Sequence, residues 1–177
     1  TFKTIGHENV SILNGGFKGW ANGGNKIATG ENSITPASFK TKLNKKYFAS
    51  FSEVQKAQKG KGQQCLIDAR PAAFFTGDKK HAKARIPGRL ANARNLQEGN
   101  LIDDSFKMKP SSAIKSQFGG LDGVEQYKGY ISYCNTGHWA ATVWFGLSEI
   151  AQIPNVKMYD GGMTHWTSNP KRKVDLG

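Results

Sequence analysis

The sequence predicts an α/β domain with a central, mostly parallel sheet flanked by helices. Three observations predict this fold class. Short apolar runs typical of buried strands recur along the chain, and segments with helical patterns alternate with them. The 21 glycines indicate many tight turns between these elements. Strands that alternate with helices favour a parallel sheet, because each parallel crossover needs a connection about as long as a helix.

The elements can be assigned in chain order. A first helix is predicted over residues 52–59, with Ser52 as its N-cap and Gly60 just beyond its end. The strand candidates are short and apolar, and they lie at residues 65–68, 91–96, 130–133 and 156–159. A long apolar helix is expected over residues 140–153. Ligand sites in such sheets form at the carboxyl ends of the strands, so the residues just after Tyr133 are the first place to look for one.

The two ends of the chain repeat each other. An offset of 146 residues aligns residues 9–20 with residues 155–166. The identical pairs are Asn9 and Asn155, Val10 and Val156, Gly15 and Gly161, Gly16 and Gly162, and Trp20 and Trp166. Each copy reads as a short apolar strand, a glycine turn and a helical turn with a tryptophan. The second copy closes a full domain, and we therefore expect residues 1–28 to be the tail of a preceding homologous domain. Residues 29–51 then form a linker, and residues 52–177 form the complete domain.

The chain is strongly basic. It has 25 Lys and Arg against 13 Asp and Glu, a formal charge of +12, concentrated in residues 40–61 and 79–94. Such a surface attracts anions of any kind. We interpret it as a solvated basic face and expect no nucleic-acid partner, because no nucleic-acid motif accompanies it. A nucleic-acid-binding domain would rest only on these basic stretches near Tyr47, Phe48 and Phe51.

Composition also bears on membranes, metals and disulfides. No apolar run approaches the ~18 residues of a membrane-spanning helix, so no membrane partner is expected. The two cysteines, Cys65 and Cys134, are too few for a disulfide scaffold or a cysteine zinc site. Cys65 opens an apolar strand, which is typical of an inert core thiol.

Cys134 has a different setting, since it lies at the end of a strand, before a short loop and the start of a helix. A loop that curls round the sulfur can aim backbone N–H groups at it, and the helix adds its positive N-terminal dipole. Both effects favour the thiolate, and the same cradle would hold the anionic end of a substrate. Gly137 suits the unusual dihedral that a tight loop needs. Cys134 is therefore the candidate nucleophile.

With this loop, the chain resembles the rhodanese family at four stations in family order. Residues 66–70, Leu-Ile-Asp-Ala-Arg, resemble the D-x-R that ends a family strand. Residues 85–89 resemble the H-I-P-G-A motif, and residues 156–166 resemble the closing D-G-G…W. The resemblance covers residues 33–171 and implies a three-layer rhodanese-like fold with a sheet of about five strands.

The resemblance also implies sulfur transfer. Cys134 would take sulfane sulfur from thiosulfate or a similar small anionic donor and become a persulfide. It would then pass the sulfur to cyanide or a thiol acceptor, with no metal or other cofactor. In two-domain members the C-terminal copy carries the catalytic cysteine, so an N-terminal rhodanese-like domain is expected to pack nearby. A 3-mercaptopyruvate sulfurtransferase and a catalytically weak sulfur-binding or regulatory module are the alternatives. A periplasmic location is expected, with the cytoplasm as the alternative.

The residues expected to bind substrate surround the nucleophile. They are Asn135, Thr136, Gly137, His138, Trp139 and Arg70. Family loops that favour thiosulfate often place Arg or Lys near the cysteine, whereas this loop has neither. Anion binding would therefore depend on backbone N–H groups, the helix dipole and Arg70 or His138. Asp68 and Ala140 are expected to support the loop, and Arg70 can pair with Asp68 instead of touching substrate.

A cysteine phosphatase is the nearest rival enzyme. That chemistry needs an arginine that grips phosphate with two hydrogen bonds at the far end of the loop. Here that position is Ala140, and the residue before the cysteine is Tyr133, where a phosphatase has histidine. The loop therefore favours sulfur chemistry over phosphate chemistry.

Overall fold

The computed structural model describes residues 1–177 and centres on a four-stranded parallel sheet. The strands are β1 (Gln64–Asp68), β2 (Ala93–Asn95), β3 (Gly129–Tyr133) and β4 (Val156–Tyr159), in the spatial order β2-β1-β3-β4. Tyr133 pairs with Asp68 on one side and with Tyr159 on the other. The carboxyl ends of these three strands therefore lie level at one edge of the sheet.

The predicted fold class is confirmed, with four strands where about five were expected. The chain before the first long helix lies along the free edge of β4 without forming a regular strand. Phe48 makes a single parallel bridge with Met158, and the flanking bonds run from Ala49 N–H to the Met158 carbonyl and from Met158 N–H to the Tyr47 carbonyl. This segment occupies the place of a fifth strand but is too short to count as one.

Helices cover both faces of the sheet. They are α1 (Gly16–Asn22), α2 (Phe51–Gln58), α3 (Ala72–Thr76), α4 (Ser111–Gly119), α5 (His138–Phe145) and α6 (Gly162–Ser168). Three short 3-10 turns lie at Lys3–Ile5, Glu98–Leu101 and Val124–Gln126. The single helix predicted over residues 140–153 is α5 followed by a π-helical segment, Gly146–Ile150. None of the helices combines the length and the hydropathy that crossing a membrane requires.

The N-cap of α2 is Ser50, so the prediction of Ser52 was wrong. Ser50 Oγ accepts from the backbone N–H of Glu53, and the Glu53 carboxylate accepts from the backbone N–H of Ser50. This start is favoured because Glu53 is charged and also pairs with Lys157. It places Phe51 in the first turn, where its ring lies 5.5 Å from that of Trp166.

Two hydrophobic clusters, one on each face of the sheet, make the three layers. Neighbouring residues Leu66 and Ile67 of β1 point into opposite clusters, as the two-residue period of a strand requires. The cluster under α4 and α5 includes Ile67, Leu96, Leu101, Ile114, Val143 and Leu147. The cluster under α2 and α6 includes Val54, Leu66, Leu90, Ile131, Tyr133, Met163 and Trp166. Burial of these side chains is the main force that holds the sheet edge, and the loops on it, in place.

The first part of the chain contributes little to this core. Ten of the twelve exposed large hydrophobic side chains lie in residues 1–43. The two copies of the terminal repeat begin their helices at equivalent glycines, Gly16 with a φ of 56° and Gly162 with a φ of 52°. Trp20 is nevertheless 41% exposed, whereas Trp166 is 2% exposed. The strand predicted in the first copy does not form, because no strand lies beside it to accept its hydrogen bonds.

Candidate active site

Cys134 lies just beyond the carboxyl end of β3, in the middle of the sheet. Its side chain is buried, and its thiol is free of any disulfide. The ends of β1 and β4 flank it, which follows from the register of Tyr133 with Asp68 and Tyr159. A nucleophile in this position is held by the core of the sheet and faces the connections that follow the strands.

The loop between Cys134 and α5 turns back on the sulfur. The backbone N–H of Gly137 donates to Cys134 Sγ across 3.1 Å. Gly137 has a φ of 91°, so the prediction of an unusual dihedral there is confirmed. A Cβ at this position would lie 2.6 Å from Asp160 Oδ1, which leaves no room for a side chain. The loop thus places one backbone donor on the sulfur and directs the N-terminus of α5 toward it.

Asp68 and Arg70 form a buried pair behind the loop. Arg70 Nε lies 2.9 Å from Asp68 Oδ1, and Nη2 lies 2.6 Å from Asp68 Oδ2. Arg70 also donates to the carbonyl of Gly88 and, across 3.4 Å, to Asn135 Oδ1. Burial lowers the pKa of Arg70, but the bonds and charge of Asp68 outweigh it and raise the pKa overall. The geometry therefore favours support of the loop, and direct contact of Arg70 with substrate stays a prediction.

The segment that follows β4 is hydrogen-bonded to the same loop from the other side. Met163 N–H donates to the carbonyl of Cys134, and Thr164 donates to the carbonyl of Asn135 through both its N–H and its Oγ1. A Cβ on Gly162 would lie 2.5 Å from the carbonyl oxygen of Cys134. In the sequence this D-G-G segment is a family motif, and its role in holding the loop was not predicted from it. The glycine pair before Met163 was the available signal.

The remaining predicted site residues lie around the mouth of the loop. Thr136 and His138 are exposed, with Thr136 Oγ1 3.3 Å from His138 Nδ1. Trp139 is half-buried, and its ring packs edge-on against Phe74 at 5.9 Å. Ala140 is fully buried, and its carbonyl accepts from Ser132 Oγ, which ties α5 to β3. The structure thus brings all the predicted loop residues together at one edge of the sheet.

Asn135 leaves a hydrogen-bond donor unused beside the nucleophile. Its Oδ1 faces Arg70, while its Nδ2 is the one buried side-chain nitrogen or oxygen without a hydrogen-bond partner. Buried polar groups without partners are rare and costly, so Asn135 is held beside the nucleophile mainly by Arg70 and by the bonds to its own carbonyl.

Cys65 lacks the hydrogen bond that marks Cys134, since no backbone N–H donates to its sulfur. It is buried inside β1, and burial raises the pKa of its thiol to about 11, against a smaller lowering by Arg94. Its Sγ interacts only with the neighbouring carbonyl of Leu66, at 3.7 Å. Cys65 is therefore a core thiol, as its position in an apolar strand predicts.

Together, the fold and the site define a class of protein. A cysteine at the carboxyl end of a central parallel strand, with a backbone N–H on its sulfur and a helix starting just beyond, is an arrangement for nucleophilic cysteine chemistry. The sequence profile of the Rhodanese-like domain matches residues 50–169. The chain therefore belongs to the rhodanese-like domain family.

Relatives are similar to this chain in sequence, and a solved structure is similar to it in fold. The chain is 30% identical over 174 residues to the 3-mercaptopyruvate sulfurtransferase of Escherichia coli K12, covering 98% of this chain and 60% of the relative. It is 29% identical over 178 residues to the thiosulfate sulfurtransferase of Gallus gallus, covering 98% and 59%. The chain thus spans about three fifths of the length of these relatives. A solved structure of the anaerobic ergothioneine biosynthesis enzyme from Chlorobium limicola shares the fold with a TM-score of 0.83 at 19% identity, covering 98% of this chain and 43% of the other.

Proposed function

We propose that this protein is a sulfurtransferase that carries sulfane sulfur on Cys134. The observation that carries the proposal is the free, buried Cys134 thiol with the Gly137 N–H on its sulfur, in a chain that belongs to the rhodanese-like domain family. Relatives named 3-mercaptopyruvate sulfurtransferase and thiosulfate sulfurtransferase support the same chemistry.

The reaction proceeds as two displacements at sulfur. The Cys134 thiolate attacks the sulfane sulfur of thiosulfate, the S–S bond of the donor breaks, and sulfite leaves with the bonding electrons. The acceptor, cyanide or a thiolate, then attacks the outer sulfur of the persulfide and returns Cys134 to the thiolate. The Gly137 N–H stabilises negative charge on Sγ at the beginning and at the end of the cycle.

The donor proposed first is thiosulfate, and 3-mercaptopyruvate is the second candidate. Residues 135–139 contain no Lys or Arg, which weakens the case for a doubly charged donor. Binding of thiosulfate would therefore depend on the backbone N–H groups of the loop, the dipole of α5, and Arg70 or His138. A catalytically weak sulfur-binding module is the remaining alternative.

Intact-mass measurement tests the proposal directly. We expect incubation with thiosulfate or 3-mercaptopyruvate to add one sulfur atom, which cyanide then removes as thiocyanate. The Cys134→Ser variant should lose the adduct and reduce turnover by more than about a thousandfold, since the nucleophile is absent. The Cys65→Ala variant is the matched control and should keep the adduct. A stable adduct without turnover would favour the sulfur-binding module, and equal adducts in wild type and Cys134→Ser would refute the assignment.

We infer further that residues 1–28 are the tail of a preceding rhodanese-like domain, which makes the chain the C-terminal catalytic part of a tandem protein. The matching helix starts at Gly16 and Gly162 support this. The exposed side chains that α1 and its flanks present are Leu13, Phe17, Trp20 and Ile27. In the second copy the equivalent tryptophan is covered by the sheet of its own domain. The absent sheet would cover Trp20 in the same way, with residues 29–51 as the linker to the catalytic domain at 52–177.

The proposed location is the periplasm, with the cytoplasm as the alternative. The lysine-rich surface and the proposed tandem organisation support the periplasm. Cell fractionation of the producing organism with an antibody to this chain tests it, and recovery with cytoplasmic markers would contradict it.

A further inference from the structure

A second concave site lies at the sheet edge opposite Cys134, where the strands begin. Gln64 opens β1, Gly129 opens β3, and Lys157 is the second residue of β4. A cavity of about 520 Å³ lies against these strand starts and has no hydrophobic residue in its lining. Five lysines surround it, and we call them the lysine basin: Lys46, Lys56, Lys61, Lys128 and Lys157.

The basin carries a positive charge that the protein itself does not neutralise. Glu53 is the single acidic residue in the lining, and it pairs with Lys157. The other four lysines make no salt bridge. The folding of the chain gathers them, since three come from the basic stretch at residues 40–61 and Lys128 comes from the turn before β3. Keeping like charges around one cavity costs free energy that a bound anion would recover.

We propose that the lysine basin binds a compact anion with two or more phosphate groups. The volume lies in the range of small-molecule sites, and a lining of charged and amide side chains and two glycines, with no hydrophobic residue, suits a hydrated anion. A protein partner would need apolar or aromatic anchors in the concavity, and the lining has none. The ammonium groups are flexible and come from several elements, so they can contact different phosphate groups of one ligand. A single phosphate would need fewer of them.

The basin is separate from the sulfur chemistry. β3 has five residues between its start at the basin and its end before Cys134, which at about 3.3 Å per residue places the two sites roughly 15 Å apart. A ligand in the basin would therefore leave the mouth of the Cys134 loop open, and the inference does not depend on the proposed sulfurtransferase activity.

Titration calorimetry with pyrophosphate and tripolyphosphate as probes tests the proposal. The double variant Lys61→Gln/Lys128→Gln removes two charges from the basin. The double variant Lys79→Gln/Lys83→Gln removes two charges from the other basic stretch and serves as the control. We expect tripolyphosphate to bind more tightly than pyrophosphate. The basin variant should weaken binding by about tenfold or more, because it removes two of the five ammonium groups around the cavity, while the control changes it by less than about threefold.

The other outcomes overturn the proposal. Equal weakening in both double variants would show attraction to the net charge alone, and absence of binding by wild type would show that there is no site. Basin-dependent binding of polyglutamate or an oligonucleotide that exceeds the binding of tripolyphosphate would assign the surface to a macromolecule instead. Circular dichroism and sulfur transfer by each variant establish that a loss of binding does not come from unfolding.

Discussion

At the scale of single residues, the site depends on close contacts made by glycines. Gly137 brings its N–H to Cys134 Sγ because its φ of 91° is open to glycine and strained for other residues. Gly162 lets the turn after β4 approach the backbone of Cys134 and Asn135. The sequence predicted Cys134 and Gly137 because strand, cysteine, glycine and helix follow one another directly. The glycine pair at residues 161–162 signals a close approach of the backbone, but the sequence alone does not identify what it approaches, which lies 28 residues away.

The terminal repeat supplies a matched pair of glycine variants. Gly162→Ala places a Cβ 2.5 Å from the Cys134 carbonyl oxygen, whereas at Gly16 nothing lies within 4 Å of the added atom. Both glycines have a positive φ, so both variants pay about 1–2 kcal/mol of backbone strain. We expect Gly162→Ala to displace the loop and reduce the turnover of sulfur transfer by about a hundredfold, because catalytic geometry tolerates little misplacement. Gly16→Ala should keep its turnover. Similar turnover of the two variants in a thiosulfate–cyanide assay would show that the contacts of the turn after β4 do not position Cys134.

At the scale of secondary structure, the strands were predicted closely and the helix ends less well. The strand at Gln64–Asp68 starts one residue before the predicted range, and Ala93–Asn95 is a shortened form of the range 91–96. Apolar runs locate the strands because a strand in the middle of the sheet must bury its side chains on both faces. Where a helix starts depends on competition between nearby N-cap candidates, and here Ser50 is the N-cap and Ser52 is not. The π-helical segment begins at Gly146, which packs tightly against Leu101 and Met108 from distant parts of the chain. Sequence pattern alone contains no such contact.

The capping box of α2 makes part of the stability of the domain depend on pH. Burial raises the pKa of Glu53, but bonds from Lys157 and Ser50 outweigh it and hold the pKa below its ordinary value of 4.5. A carboxylate with a lowered pKa stabilises the folded state above the unfolded pKa, and this contribution is lost as the pH falls through the folded pKa. We therefore expect Glu53→Gln to reduce the free energy of unfolding by about 0.5–1 kcal/mol at pH 7, and by progressively less as the pH falls through the lowered pKa of Glu53 in the folded state.

Urea unfolding of wild type and variant across this pH range measures the effect. Glu31→Gln is the control, since Glu31 is exposed and forms no ion pair, and its difference from wild type should stay near zero at every pH. A Glu53→Gln difference that persists unchanged at acidic pH would mean that the charge of Glu53 contributes nothing to the cap.

At the scale of the whole molecule, the chain divides into a packed body and a loosely attached beginning. The body from Ala49 onward contains both hydrophobic clusters. The beginning is tied to it by a few polar contacts. They are Lys3 with Glu149, Asn14 Oδ1 with the N–H of Met108, and the carbonyl of Tyr47 with the N–H of Met158. The two copies of the repeat have the same sequence pattern, but only the second one has a sheet to pack on.

Hydrogen exchange can measure whether the first copy of the repeat needs a partner. Few buried apolar contacts imply local opening at little cost in free energy, so we expect the amides of α1 to exchange within seconds in this chain. The amides of α6 should exchange only through global unfolding, because Met163 and Trp166 lie in the core. In a chain that carries a homologous rhodanese-like body before Thr1, the α1 amides should become protected, and quenching of Trp20 fluorescence by acrylamide should fall. Strong protection of α1 without that body would mean that residues 1–28 already pack on the catalytic domain, and the proposed tandem arrangement would lose its main support.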